Sequence, residues 1–357
     1  MLLDARVKEI LLQTGAPAVA AAINIPGLGR WASTQGSARV VPQQAANAAT
    51  LFYWGSIAKS LTAVLVLQLV EEGKLKLDDR LAHWYPEMPQ AEFITIRHLL
   101  THTSGLATNA LDPSGQIPQT SAQLVAAASH TPSVFCPGTN VSYSNTGYLM
   151  LGLIVEAVEG QAFDEVLQRR VAEPLSLHHL RALHVGEEAT AELAAPHQKR
   201  EPRADPGAWS RIGSGNVVAT ADDMLFFWHA LLTGQLLPLA TVQAQWSQLY
   251  PLQNEPSTAT APALMWYGLG VMLTEWVDGQ GRARHWLAHL GGIPTANAAL
   301  LCDPFVGACV AAAVNSEVSS AAVANALLEV VLAWQLRRQP TPAPETTAGT
   351  MLAARAR

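Results

Sequence analysis

The spacing of apolar positions changes character twice along this chain, and the changes mark out its organisation. At the N-terminus, Leu2, Leu3, Val7, Ile10 and Leu11 recur at helical intervals and predict an amphipathic helix. AVAAAINI (Ala18 to Ile25) and GRWASTQG (Gly29 to Gly36) then predict two strands joined by a turn at Pro26-Gly27. LFYWG follows as a short apolar lead-in. Ser56 to Glu72 predicts a strong helix with Leu61, Val64, Leu65 and Leu69 on one face and Gly73 at its end.

From about Leu75 to Arg203 the pattern turns to helices broken by Pro and Gly: RHLLTH, SAQLVAAASH, NTGYLMLGLIVEAVEG and FDEVLQRRVAEPL. Thr220-Ala221-Asp222-Asp223 has the form of a capping box and opens a helix that stops at Gly234. Strand-like runs return in YGLGVMLTE, ARHWLAHL, TANAALLCD and GACVAAAVN, and Ser319 to Leu336 predicts a last helix. The tail from 338 to 357 is rich in Pro, Thr and Ala and is expected to be disordered. No internal repeat of solenoid type occurs.

Strands at both ends with helices between them predict an α/β fold. One antiparallel sheet flanked by helices is built from residues 1–74 and 204–337, and a mostly helical domain, 75–203, is inserted between them.

Charged residues are 14% of the chain against a usual share of about 25%, so the surface is only modestly charged. The net charge is −6 and no Lys/Arg cluster carries interleaved aromatics, which argues against a nucleic-acid partner. No apolar run reaches the ~18 residues of a membrane helix; the most apolar stretch, Ala321 to Trp334, is interrupted by Asn325 and Glu329. The N-terminus carries Asp4 and lacks the regions of a signal peptide. A cytoplasmic location is expected if the chain is complete, and a periplasmic or secreted one if a leader has been removed. Oligomeric state is not legible.

The three cysteines, Cys136, Cys302 and Cys309, are an odd, low count with no metal-type spacing, and small buried hydrophobe is the expected role. A hairpin centred on Pro304 to Gly307 sets Cys302 opposite Cys309, within about 4.5–5.5 Å and so within disulfide range. Two reduced thiols packed in the sheet are the favoured expectation.

Three constellations carry candidate chemistry. Ser56 and Lys59 are three apart at a helix start, on one face. A serine needs a nearby base to become a nucleophile, and a desolvated lysine can supply it. The free N–H groups of the helix start suit a developing oxyanion. Alone, Ser-x-x-Lys equally fits a capping serine followed by an exposed lysine. Tyr143 and Asn145, two apart in a loop, can hold a phenol for proton transfer and an amide for a substrate carbonyl; alone they also fit a turn before a helix. In His289-Leu290-Gly291-Gly292, His289 and Gly291 share a strand face, glycine admits a ligand against the backbone, and the Gly292 N–H is a second oxyanion donor. Alone, this is a glycine turn after a strand with a packed histidine.

In this order, Ser-x-x-Lys, Tyr-x-Asn and His-x-Gly resemble the motifs of the serine β-lactamase and penicillin-binding DD-peptidase superfamily, with the closest likeness to class C β-lactamases and their esterase and peptidase relatives. ITIRHLLTHTSGL, PGTNVSYSNTGYLMLGLIVEAVEGQAFDEVL and SGNVVATADDM are similar to stretches of that family, and the resemblance covers about residues 5 to 336. It implies a β-lactamase-like fold with no cofactor. Ser56 is then the nucleophile, Lys59 and Tyr143 its proton-transfer partners, and Asn145 a substrate-orienting residue. The N–H groups of Ser56 and Gly292 form the oxyanion hole, and His289 stands where true β-lactamases carry lysine.

The departure is Leu290, which replaces the threonine whose hydroxyl helps grip a substrate carboxylate in that family. Ile293 and Pro294 offer no substitute hydroxyl. Small neutral esters or amides therefore rank above D-amino-acid peptides and β-lactams. A DD-carboxypeptidase or weak β-lactamase is the alternative enzyme, and a penicillin-binding sensor that acylates without turnover the alternative of another class. Tyr53, Trp54, Trp209, Trp266, Tyr267 and Trp286 lie near the motifs and are divided between cleft wall and core, chiefly core. His98 and His102, like His285 and His289, have the i,i+4 spacing of metal ligands, but no Glu follows His98 and no metal is expected.

Overall fold

The computed structural model describes residues 2–111, 120–183, 190, 192–198, 200–203, 212–254, 264–277, 281–293 and 295–336. In chain order the first elements are α1 (Leu2–Thr14), β1 (Ala18–Ile25), β2 (Gly29–Arg39), β3 (Gln44–Ala45), β4 (Phe52–Tyr53) and α2 (Ala58–Glu71). The middle holds α3 (Ile96–Leu100), α4 (Ser121–His130), α5 (Asn145–Glu159), α6 (Phe163–Leu167), α7 (Glu173–Leu175), β5 (Arg181–Ala182), β6 (His197–Gln198), β7 (Glu201–Pro202), β8 (Val217–Ala219), α8 (Ala221–Leu232) and α9 (Leu239–Ala244). The chain then forms β9 (Tyr250–Asn254), β10 (Leu264–Tyr267), β11 (Met272–Val277), β12 (Ala283–Ile293), β13 (Ala296–Cys302), β14 (Cys309–Val314) and α10 (Ser320–Leu336).

The main sheet has nine antiparallel strands in the order β3-β2-β1-β14-β13-β12-β11-β10-β9. The N-terminal strands join the C-terminal ones through β1 and β14, from Val19 opposite Val314 to Asn24 opposite Cys309. These two strands are Ala/Val runs because helices cover both faces: α10 packs on β13 and β14, and α8 packs on β1 and β14. Every residue of β14 is buried.

The predicted helix after Ser56 is more deeply set than one apolar face implies. Its residues from Ala58 to Leu67 are all buried, Lys59, Ser60 and Thr62 included. It runs through the centre of the molecule against α5. Its polar side chains are therefore hydrogen-bonded: Ser60 Oγ donates to the Gly270 carbonyl at 2.7 Å and Thr62 Oγ1 to the Gly213 carbonyl at 2.7 Å.

Several expectations are corrected. YGLGVMLTE is not one strand, because Tyr267 ends β10 and the chain turns before Met272 opens β11. The turn closes with the Gly268 N–H on the Val271 carbonyl at 2.8 Å, and Gly270 takes the left-handed φ of 80° that it needs. FDEVLQRRVAEPL is not one regular helix either, since a π-turn at Gln168–Ala172 separates α6 from α7. At Thr220 the hydroxyl accepts from the Asp223 N–H, but the Asp223 carboxylate accepts from the His179 N–H at 2.7 Å. Leu2 is 70% exposed, and only Val7 and Ile10 of α1 are fully buried.

Cys302 and Cys309 do lie directly opposite each other, but they form a disulfide and not two thiols. Their Cα atoms are 4.0 Å apart, so the register of β13 and β14 itself brings the two sulfurs together. Cys136 is exposed and is not the small buried hydrophobe expected. The expected disorder of 338–357 falls outside the described residues. Among the described residues no helix is long and apolar enough to cross a membrane.

Candidate active site

The approach to Ser56 is fixed from both sides. β4 pairs with β8, the Trp54 N–H donates to the Val217 carbonyl at 3.0 Å, and the Trp54 indole Nε1 donates to the Ala219 carbonyl at 3.0 Å. The chain then makes a 3₁₀ turn, Gly55–Ile57, from which α2 continues. From Leu51 to Leu67 every residue is buried except Ser56. Residues three apart share a helix face, and here Lys59 Nζ donates to Ser56 Oγ at 3.1 Å. Lys59 is 0% exposed and also donates to the Ser214 carbonyl at 2.7 Å.

The second motif comes from the segment that leads into α5. Tyr143 lies just ahead of α5, with its phenol beside the Ser56 side chain. Lys59 Nζ lies 4.8 Å from the centre of its ring. Burial pushes the Tyr143 phenol well above its ordinary range, so it carries its proton at neutral pH. Asn145 is the first residue of α5, after Ser144, whose Oγ accepts from the Gly147 N–H at 2.9 Å. The Asn145 amide donates to Asn109 Oδ1 at 2.9 Å, a partner the sequence motifs do not reveal.

The third motif presses β12 against the Ser56 turn. A Cβ on Gly55 would lie 2.9 Å from the Gly292 nitrogen, which places that amide beside the turn. His289 is 0% exposed, with both ring nitrogens engaged. Nδ1 faces the Leu290 carbonyl at 2.9 Å and so carries the proton, and Nε2 lies 3.0 Å from the Tyr267 hydroxyl. Burial first, and the nearby Lys59 charge second, push the imidazole down to about 3, so it is neutral.

Ser56, Lys59, Tyr143 and the Gly291-Gly292 backbone thus come together, while Asn145 is anchored to Asn109 and His289 is buried. Around His289 lies a ring cluster of His102, Tyr148 and Tyr267, each 0% exposed. Tyr53, Trp54 and Trp286 belong to the core, Trp266 is half-buried, and Trp209 lies outside the described residues. His98 Nδ1 accepts from the Thr95 N–H as part of a helix cap, and His285 Nε2 meets Glu275 at 2.8 Å.

Residues 3–333 match the beta-lactamase family. The chain belongs to that family. Among its relatives is penicillin-binding protein 4 of Amycolatopsis lactamdurans, 35% identical over 54% of this chain and 53% of that protein. Esterase EstB of Burkholderia gladioli is 31% identical over 36% of this chain and 37% of that one. The chain spans about half the length of the first curated relatives it matches, or less. The crystal structure of D-amino acid amidase from Ochrobactrum anthropi SV3 superposes with a TM-score of 0.80, covering 94% of this chain and 100% of that one at 21% identity, and so establishes the β-lactamase-like fold.

Proposed function

We propose that this beta-lactamase-family chain is a serine hydrolase that cleaves ester or amide bonds through an acyl-enzyme on Ser56. One observation carries the proposal: the single accessible residue in a buried run has a lysine amine at 3.1 Å and a protonated phenol beside it. Ser56 Oγ attacks the substrate carbonyl and its proton passes to the Lys59–Tyr143 pair, in which Lys59 enters the step as the neutral amine and takes the proton while Tyr143 keeps its own. The carbonyl oxygen, now negative, takes the N–H groups of Ser56 and Gly292. The leaving alcohol or amine departs with a proton from the same pair, and water then releases the acyl group by the reverse path. Asn145 orients the substrate from the far wall. In this scheme 75–203 is the inserted helical unit that supplies Tyr143 and Asn145, and 1–74 with 204–337 is the sheet unit that supplies Ser56, Lys59 and Gly292.

Substrate choice follows from the wall. Leu290 is apolar and partly buried where the family carries a hydroxyl, and the neutral His289 brings no cation to a substrate carboxylate. Losing one donor to a charged group costs ~1.5–3 kcal/mol, which favours small neutral esters and amides. An esterase among its relatives and a D-amino acid amidase among its structural neighbours support the ester and amide class.

The test is covalent labelling by a fluorescent phosphonate with turnover of p-nitrophenyl esters. Ser56→Ala abolishes both while the fold survives, and Lys59→Ala and Tyr143→Phe each cost roughly 10²–10⁴ in rate. Labelling of Ser56→Ala at the wild-type rate rules out the acyl-enzyme.

A further inference from the structure

We propose that His102 is the positioning residue for Tyr143, holding the backbone on both sides of that tyrosine and laying its ring against the phenol. The inference rests on the proposed function only in taking Tyr143 as a proton-transfer partner of Ser56.

The geometry is a cradle built from one residue. The Ser142 N–H donates to the His102 carbonyl at 3.0 Å, and the Ser144 N–H donates to His102 Nδ1 at 3.1 Å. Both amides that flank Tyr143 therefore end on His102. The His102 ring centre lies 4.3 Å from that of Tyr143, 4.3 Å from Tyr267 and 5.1 Å from Tyr148. Nothing of His102 reaches solvent.

His102 holds this position at a cost in backbone conformation. Its φ is 60°, in the left-handed region that residues with a Cβ seldom adopt. Strain of that kind persists where surrounding structure demands it, and it gathers at working sites. Asn and Gly would both relieve it, but neither brings a ring.

The chemistry excludes a proton relay through this imidazole. Because Nδ1 accepts from an N–H, the ring proton is on Nε2, and a second proton would set two N–H groups against each other. The groups facing the ring are Lys59 from α2, Tyr143 and Tyr148 at and within α5, Tyr267 from β10 and His289 from β12, and none is a carboxylate. Burial, with the Lys59 and His289 neighbours, keeps the imidazole neutral. What is left to it is placement, and placement decides rate here, because a misplacement of ~1 Å at a reacting group can cost about 10²-fold.

The experiment uses the full chain and two substitutions, each alone and combined with Tyr143→Phe. His102→Gly accepts the left-handed backbone and removes both ring and acceptor, so its fold is the least at risk. His102→Asn tolerates the same backbone and returns an amide oxygen for the Ser144 N–H. The readouts are the rate of phosphonate labelling located by peptide mass, kcat and KM on a p-nitrophenyl ester, and the melting temperature.

His102→Gly is expected to lower kcat and labelling rate roughly 10- to 100-fold with KM changed less than about threefold. His102→Asn is expected to recover most of that loss. On the Tyr143→Phe background, His102→Gly is expected to change the rate less than about threefold, since the group it positions is gone. Equal losses on both backgrounds, an Asn variant no better than Gly, or a Gly variant at the wild-type rate each overturn the inference. Wild-type label on a residue other than Ser56 overturns the proposed function and the inference together. Label on Ser56 at an unchanged rate in His102→Gly overturns the inference alone.

Discussion

The carbonyl oxygen of Trp54 lies 2.0 Å from the place where a Cβ on Gly291 would stand. No side chain fits there, so the closeness of β12 to the nucleophile turn depends on a missing methyl group. Both partners are backbone-fixed, Trp54 by its bonds to Val217 and Ala219 and Gly291 by its pairing with Ala298.

Gly291→Ala is therefore expected to push β12 off the Ser56 turn. Labelling and ester turnover should fall by at least about 10²-fold, the scale of a lost oxyanion donor, and the melting temperature should drop as well. Gly73→Ala is the control: nothing stands within 4 Å of its Cβ, so it meets only the strain of its φ of 70° and should melt lower while keeping its rate. An active Gly291→Ala enzyme would show that the contact is dispensable.

Leu290→Thr tests the substrate wall. The wild type should hydrolyse short-chain aryl esters far better than a chromogenic cephalosporin. The new hydroxyl should raise kcat/KM for the cephalosporin roughly ten- to a hundred-fold, the equivalent of ~1.5–3 kcal/mol, and leave ester hydrolysis nearly unchanged. Comparable wild-type rates on both substrates, or an unmoved ratio, would reverse the ranking of esters above β-lactams.

Thiol titration of the denatured protein without reductant should find one free group, Cys136, and three after reduction, with a mass two units higher. Three free groups before reduction would contradict the Cys302–Cys309 bond.

The far end of α2 supplies a pH dependence. Arg170 hydrogen-bonds Glu72 at 2.6 and 3.0 Å and Glu159 at 2.9 and 3.0 Å, and these bonds are the chief reason both carboxyls are lowered to about 2. Carboxyls that bind fewer protons folded than unfolded stabilise the fold fully above their unfolded value near 4.5, and that contribution fades as pH falls toward 2. Arg170→Met should thus lower the melting temperature at pH 6 by a few degrees, for ~1–2 kcal/mol after allowing for the exposure of Glu72. The gap to wild type should close as pH approaches 2. A gap independent of pH would mean that packing, and not charge, is what Arg170 contributes.

Legibility followed the range of the interaction. Ser56 and Lys59 were readable because three residues of turn fix their relation locally. The Ala/Val runs of β1 and β14 and the helices of the middle were readable because periodicity is local too. The glycines in YGLGVMLTE hid a turn, since the run's hydrophobicity continues on both sides of it. The facing of Cys302 and Cys309 followed from a hairpin, yet nothing in the residues told oxidised from reduced. His102 stood out in the sequence only for its spacing from His98, because its work lies in bonds to the backbone of Ser142 and Ser144, about forty residues away. The burial of His289 escaped because its partner, Tyr267, comes from a strand end that the pattern did not mark.

The pairing of β1 with β14 also sets an order in time. During synthesis the nucleophile turn and α2 leave the ribosome long before β12 and β14, so the first strands wait with one edge unfilled and Ser56 waits without its backbone neighbour. Closing so long a loop is slow. A nascent chain of this architecture therefore lacks the Gly292 amide beside its Ser56 turn until its last strands arrive.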